Sequence, residues 1–236
     1  MGKELLIHPY EGKFSTILLF GPPGAGKGTL GKFLASAGTQ YHLSSGDIFR
    51  SLPVYSPAGK LFYSYATQGL LIPDEATIEI WKYYVQGLIA TNSYYPQSQD
   101  LLLDGIPRTQ EQAKMLSAYI NVRHIIVLEI SNTKELIKRM QSRARLEGRI
   151  DDVNIDILKK RLELYEEQIQ NILKYYPKHL ISMVDGGQRP LEVLRDVLVR
   201  LSAPEVFVFA EVSPSSFEAP QHSPPELYTL HSSFLI

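Results

Sequence analysis

The chain has 236 residues, 44% of them hydrophobic, which is enough for one α/β domain with a well-filled core. Its 24 Lys+Arg residues against 25 Asp+Glu leave a formal net charge of -1, so no overall basic field exists to coat a nucleic acid or a membrane surface, and any anion site has to be built locally. Cysteine is absent, which excludes disulfide frameworks, thiolate metal sites and a structural zinc.

At the start of the chain Leu6 stands where a myristoylation signal carries Ser or Thr, and the apolar run there is too short for a signal peptide. No stretch reaches the roughly 18 apolar residues of a membrane span, and a soluble cytoplasmic protein is expected. A β-branched and apolar run over 15–20 predicts a strand, which stops at a glycine loop before a helix over 27–37. Further strands are predicted at 41–43, 101–104, 124–130 and 180–185, with helical stretches between them. Such alternation predicts a parallel sheet covered by helices on both faces. Two intervals break the rhythm. Residues 44–73 read as short helical pieces punctuated by Pro53, Pro57 and Gly69, and residues 143–153 as a charged loop between helices. Segments inserted at the carboxyl ends of parallel strands are where α/β proteins bind ligands. The domain is expected over 1–202. Residues 203–236 turn to Ser, Pro and scattered aromatics and read as a flexible tail, although Val206-Phe207-Val208-Phe209 could dock as an edge strand.

The segment Gly21-Pro22-Pro23-Gly24-Ala25-Gly26-Lys27-Gly28-Thr29 follows a predicted strand and opens a predicted helix, the context that a phosphate-binding loop requires. Glycines let successive backbone N–H groups converge on phosphate oxygens, the helix N-terminus adds its dipole, and Lys27 brings a point charge. Gly28 separates Lys27 from the hydroxyl of Thr29, a departure from the strict pattern that points to one branch of the P-loop proteins. A plain glycine turn is the bland alternative. Asp104 ends the apolar run Leu101-Leu102-Leu103, where a carboxylate can hold a water of a magnesium ion or merely form a turn.

Together with this loop, Ser44-Ser45-Gly46-Asp47-Ile48-Phe49-Arg50, Asp104-Gly105-Ile106-Pro107-Arg108-Thr109-Gln110-Glu111-Gln112 and Gly148-Arg149-Ile150-Asp151-Asp152 resemble the adenylate kinases, in order from about residue 15 to residue 201. The resemblance implies a P-loop NTPase fold, a three-layer α/β/α sandwich around a five-stranded parallel sheet, with a monophosphate-binding segment at 44–73 and a short lid at 143–153. It implies reversible, Mg2+-dependent transfer of a phosphoryl group from ATP to AMP, giving two ADP, by a monomer. Gly24, Ala25, Gly26, Lys27, Gly28 and Thr29 match the cradle for the ATP phosphates. Ser45, which takes the place of the family's usual threonine, matches the AMP-holding positions with Arg50, Leu70, Leu71, Ile72, Gly105, Ile106, Pro107, Arg108 and Gln112. In the family a glutamine at the position of Gln112 reads the adenine edge where pyrimidine nucleotide kinases carry asparagine, so AMP is expected over UMP or CMP.

Guanidinium groups fork onto phosphate oxygens and stay charged at any working pH. Arg139 and Arg143 lie four apart on one helical face; the resemblance assigns the first to the base of ATP and the second to its phosphates. Arg149 and Arg161 match the arginines that fold in from the lid and the following helix, Arg108 matches the ligand of the AMP phosphate, and Gln188 matches a backbone contact to the adenine of ATP. The catalytic set is then Lys27, Arg108, Arg143, Arg149 and Arg161. The chain is one residue longer than the family spacing before Arg161, and Leu30 replaces a common glutamine.

Competing readings remain at this level. Each arginine could lie on a solvated face, with Glu135 pairing to Arg139 at i,i+4. The chain could bind nucleotides as a catalytically impaired regulatory module, or be a UMP/CMP kinase. A GTPase would need an Asn-Lys-x-Asp guanine reader, and no Asn-Lys pair occurs. Trp81, Tyr83, Tyr84, Tyr94 and Tyr95 could stack single-stranded RNA bases, but with only Lys82 among them they read better as packing residues. The six histidines are scattered without metal-ligand spacing.

Overall fold

The computed structural model describes residues 9–37, 39–147 and 154–202. The predicted tail, most of the predicted lid loop and Arg149 lie outside the described residues. Five strands form one sheet: β1 (Phe14–Phe20), β2 (Gln40–Ser44), β3 (Asp100–Asp104), β4 (Ile120–Glu129) and β5 (Ile181–Asp185), in the order β2-β3-β1-β4-β5. Every neighbouring pair is parallel.

Near-continuous apolar strands are what a sheet buried on both faces requires, because alternate side chains point to opposite sides. Phe14, Leu18 and Phe20 of β1 join Leu101 and Leu103 of β3 and Ile125 and Val127 of β4 in one core layer. Ile17 and Leu19, Leu102, Ile126 and Leu128 form the other. The first layer is covered by α4 (Asp74–Ala90), α5 (Gln110–Leu116) and α7 (Ile155–Lys174), through Trp81, Val85, Leu116, Ile169 and Ile172. The second is covered by α1 (Lys27–Ala37) and α8 (Pro190–Leu201), through Leu30, Leu34, Val193 and Val197. This is the three-layer α/β/α sandwich of the P-loop fold. The first inserted interval folds as two short helices, α2 (Ser45–Ser51) and α3 (Pro57–Ala66). A smaller apolar cluster, Leu136 and Met140 with Leu158 and Leu162, joins α6 (Thr133–Glu147) to the start of α7.

Three boundaries differ from expectation. β4 begins at Ile120, ahead of the predicted start at residue 124: Thr16 pairs with Val122 and Ile17 with His124, so Arg123 is an extra residue that bulges out of the ladder and interrupts the apolar pattern. β5 starts at Ile181 because Lys178–Leu180 form a 3-10 turn behind Pro177. Residues 143–147 are the last turns of α6, not the beginning of a loop. Arg143, Ala144, Arg145, Leu146 and Glu147 are all good helix formers, and their charges stand on a helix surface.

The aromatic cluster divides. Trp81 and Tyr94 are each 1% exposed and surround Phe14, whereas Tyr83 is 71% exposed. Trp81→Ala is therefore expected to cost about 3–5 kcal/mol of unfolding free energy, as for a large core aromatic. Tyr83→Ala, two residues along the same helix, should stay within about 0.5 kcal/mol. Urea melts followed by circular dichroism read both.

Candidate active site

The carboxyl ends of β1 and β3 meet at the middle of the sheet, where the connections diverge to either side, and the glycine loop fills that crevice. Gly24 has φ +87°, and a Cβ there would come within 2.9 Å of the carbonyl oxygen of Leu136 on α6. Only glycine lets the loop turn while touching α6. Lys27 opens α1 and donates its Nζ back to the carbonyls of Gly21, at 2.8 Å, and Pro22, at 3.2 Å. Its ammonium thus arches over the loop.

Lys27 is held down to a pKa of about 8, first by removal from bulk water and then by the positive charges of Arg108, Arg143 and Arg161, against the opposing pull of Asp104. Those three guanidinium groups come from the loop after β3, from α6 and from α7. Burial alone would raise the carboxyl of Asp104, but a contact to His42 and the charges of Lys27 and Arg108 outweigh it and hold the group below its usual range. His42 Nε2 stands 3.8 Å from Asp104 Oδ2, beyond hydrogen-bond distance. Asp104 is thus a buried anion within the field of Lys27, the donor type that a hydrated magnesium ion takes beside phosphate.

Across the crevice, the loop after β3 and the start of α2 lock together. Ser45 Oγ donates to the carbonyl of Gly105 at 2.8 Å, and Arg108 Nε donates to the same carbonyl at 2.7 Å. Gly105 has φ +77°, and a Cβ on it would meet Ser45 Oγ within 2.6 Å. Arg50 reaches Asp47 at 2.6 Å. Gln112, in the first turn of α5, is 1% exposed.

Lys27, Asp104, Ser45, Arg50, Gly105, Arg108 and Gln112 border one cavity of about 670 Å³, within the range of ligand sites. Gly24, Ala25, Gly26, Lys27, Gly28, Thr29, Arg139, Arg143 and Gln188 line it, and so do Ser45, Arg50, Leu70, Leu71, Ile72, Gly105, Pro107, Arg108 and Gln112. Arg161 also lines it, despite the added residue before it. Ile106 does not. Its side chain is 1% exposed and packs into the core layer, where it anchors the loop from beneath. Arg139 makes the i,i+4 pair with Glu135 at 3.0 Å and also donates to the carbonyl of Gly186 at 3.3 Å, so one side chain spans the helix face and the cavity edge. Tyr165 and Gln168 of α7 are lining residues without a sequence signal of their own, since they sit in an ordinary amphipathic helix.

The adenylate kinase family model matches residues 19–181. The chain belongs to the adenylate kinase family. Among its relatives, an adenylate kinase of Flavobacterium psychrophilum is 34% identical over 195 residues, covering 78% of this chain and 98% of the relative. One from Mycoplasma pneumoniae is 32% identical over 210 residues, at 77% and 94% coverage, and one from Clostridium botulinum is 30% identical over 214 residues, at 77% and 96%. As an adenylate kinase family member, the chain is a nucleoside monophosphate kinase that transfers phosphoryl groups between adenine nucleotides. No described helix is long and apolar enough to cross a membrane.

The depressed Lys27 fixes the sign of a pH effect. Its folded pKa, about 8, lies below the ordinary 10.5, so between these values the unfolded chain binds more protons and this group's contribution to stability rises with pH. Below pH 8 the full penalty of a charged Lys27 is present. Calorimetry without nucleotide should therefore show the midpoint of Lys27→Met, relative to the unsubstituted chain, becoming steadily less favourable as pH rises from 8 to 10.5.

Proposed function

We propose that the chain catalyses the reversible, Mg2+-dependent transfer of a phosphoryl group from ATP to AMP, giving two ADP. One observation carries this reading: Lys27, Arg108, Arg143 and Arg161, drawn from four separate elements, line one cavity beside the glycine loop, and the charges of the three arginines bear on Lys27. Clustered like charges are costly in an empty crevice and favourable around polyphosphates.

Phosphoryl transfer in most analyses has a loose, in-line transition state, so the protein mainly positions two nucleotides and neutralises spread charge. In this reading the ATP phosphates lie in the cradle from Gly24 to Thr29, with Lys27 at their outer end, Arg139 on the base and the backbone at Gln188 against the adenine edge. AMP lies between Arg50 and Arg108, with its base against Leu70, Leu71 and Ile72 and its Watson–Crick edge at Gln112. Arg50 and Arg139 exchange their carboxylate partners, Asp47 and Glu135, for the nucleotides. Arg143 and Arg161, with Arg149 from outside the described residues, carry the charge that spreads onto the transferring group. Asp104, through water, and Thr29 would hold Mg2+, which when bound would neutralise phosphate charge. No covalent nucleophile is required. The enzyme is read as a cytoplasmic monomer acting on ATP, AMP and ADP, with no nucleic-acid or membrane partner.

A coupled assay for ADP formed from ATP and AMP tests the reading. Lys27→Ala and Arg108→Ala are each expected to lose at least about 10² in kcat, the typical cost of deleting one preorganised charge or donor. Near-normal turnover in either variant rejects the assignment, and nucleotide binding without turnover in the unsubstituted chain would mark a regulatory module. Among AMP, CMP, UMP and GMP as acceptors, AMP should have the highest kcat/KM.

A further inference from the structure

Gln112 is held at three points. Its backbone N–H donates to Thr109 Oγ1 at 3.0 Å, which seats it in the first turn of α5. Its side-chain Oε1 accepts the backbone N–H of Arg108 at 2.7 Å. Its Nε2 donates to Asp74 Oδ1 at 2.8 Å. Asp74 is the first residue of α4, directly after the stretch Leu70 to Pro73, and is not among the residues that line the cavity.

The two side-chain partners settle which way the amide faces. A backbone N–H can only donate and a carboxylate can only accept. Exchanging the oxygen and nitrogen of Gln112 would set N–H against N–H and carbonyl against carboxylate, losing both bonds in a buried place. In the orientation observed, one lone pair on Oε1 and one N–H on Nε2 are left over, because an amide oxygen accepts twice and an amide nitrogen donates twice.

We infer that Asp74 is a specificity-determining positioning residue, which fixes the polarity of the Gln112 amide and thereby makes the acceptor site select a 6-amino purine over a 6-oxo purine. Adenine offers a 6-amino donor beside the N1 acceptor, which complements the remaining lone pair and N–H. Hypoxanthine offers a 6-oxo acceptor beside an N1–H donor, and would need the amide reversed. Cytosine has the same polarity as adenine, so this device leaves the choice between AMP and CMP to other contacts. The inference rests on the reading of Gln112 as the group that meets the acceptor base.

The test uses the full chain, ATP as donor, and AMP or IMP as acceptor; these nucleotides differ only at the edge in question. In Asp74→Asn the new amide can present either its oxygen or its nitrogen to Gln112, and in Asp74→Ala the acceptor is gone. The ratio of kcat/KM for AMP to that for IMP should fall about tenfold in either variant, the order expected for losing one hydrogen bond to a charged group. The change should lie in KM for the monophosphate, with KM for ATP unmoved. Asp74→Glu keeps an acceptor-only carboxylate and should retain the ratio. An unchanged ratio in either active variant overturns the inference, as does an equal fall in Asp74→Glu, since a merely structural role would depress both acceptors alike. Absence of ADP formation by the unsubstituted chain would overturn the kinase reading itself and this inference with it, and is seen before any variant is made.

Discussion

Bringing several positive charges close together inside a protein is unfavourable, and here the fold does so around Lys27. Lys27 is tied through its Nζ to the carbonyls of the loop that its own backbone closes, while guanidinium groups from three other elements act on it. Coulomb energies of this kind grow as water is removed, and the elements that carry the cations are anchored by a parallel sheet packed on both faces and by the buried stripes of the helices that cover it. Asp104, buried at the end of β3, is the acidic group among the described influences on Lys27, and its negative charge offsets part of the repulsion. Electrostatics and packing are thus linked at this crevice: the apolar layers provide the stiffness that lets cations converge.

The acceptor side follows a different logic. Its contacts are directed hydrogen bonds and close backbone approaches, in which the carbonyl of Gly105 receives both Ser45 and Arg108. Sharing one acceptor couples the first turn of α2 to the loop after β3, so that the walls on either side of the crevice take up position together. A threonine in place of Ser45 would add a methyl group beside a glycine whose Cβ position is already occupied by the serine oxygen.

Much of this architecture was legible along the chain, because the phosphate loop stands between an apolar run and a helical one and each central strand has its own uninterrupted run of leucine, isoleucine or valine. What escaped did so for identifiable reasons. Arg123 is a charge inside a strand, tolerated because it bulges out of the pairing. Residues 143–147 are dense in charge, which suggests a loop, yet every one favours a helix. Ile106 lies within a motif that lines the cavity, but its side chain packs into the core. Asp74 looks like any acidic residue at a helix start, and its bond to Gln112 joins residues far apart in the chain. Periodicity reports which face is buried; it does not report which polar atoms meet there.

The strand order has a consequence for biogenesis. β1, made first, lies between β3 and β4, with Thr16 paired to Leu101 and Phe14 to Ile120. Such distant parallel pairings carry a large loop-closure cost before any contact rewards them. A growing polypeptide therefore has the whole glycine loop long before it has the two strands that support it. A nucleotide that binds only the finished site would, by mass action, favour the completed fold over every partial one.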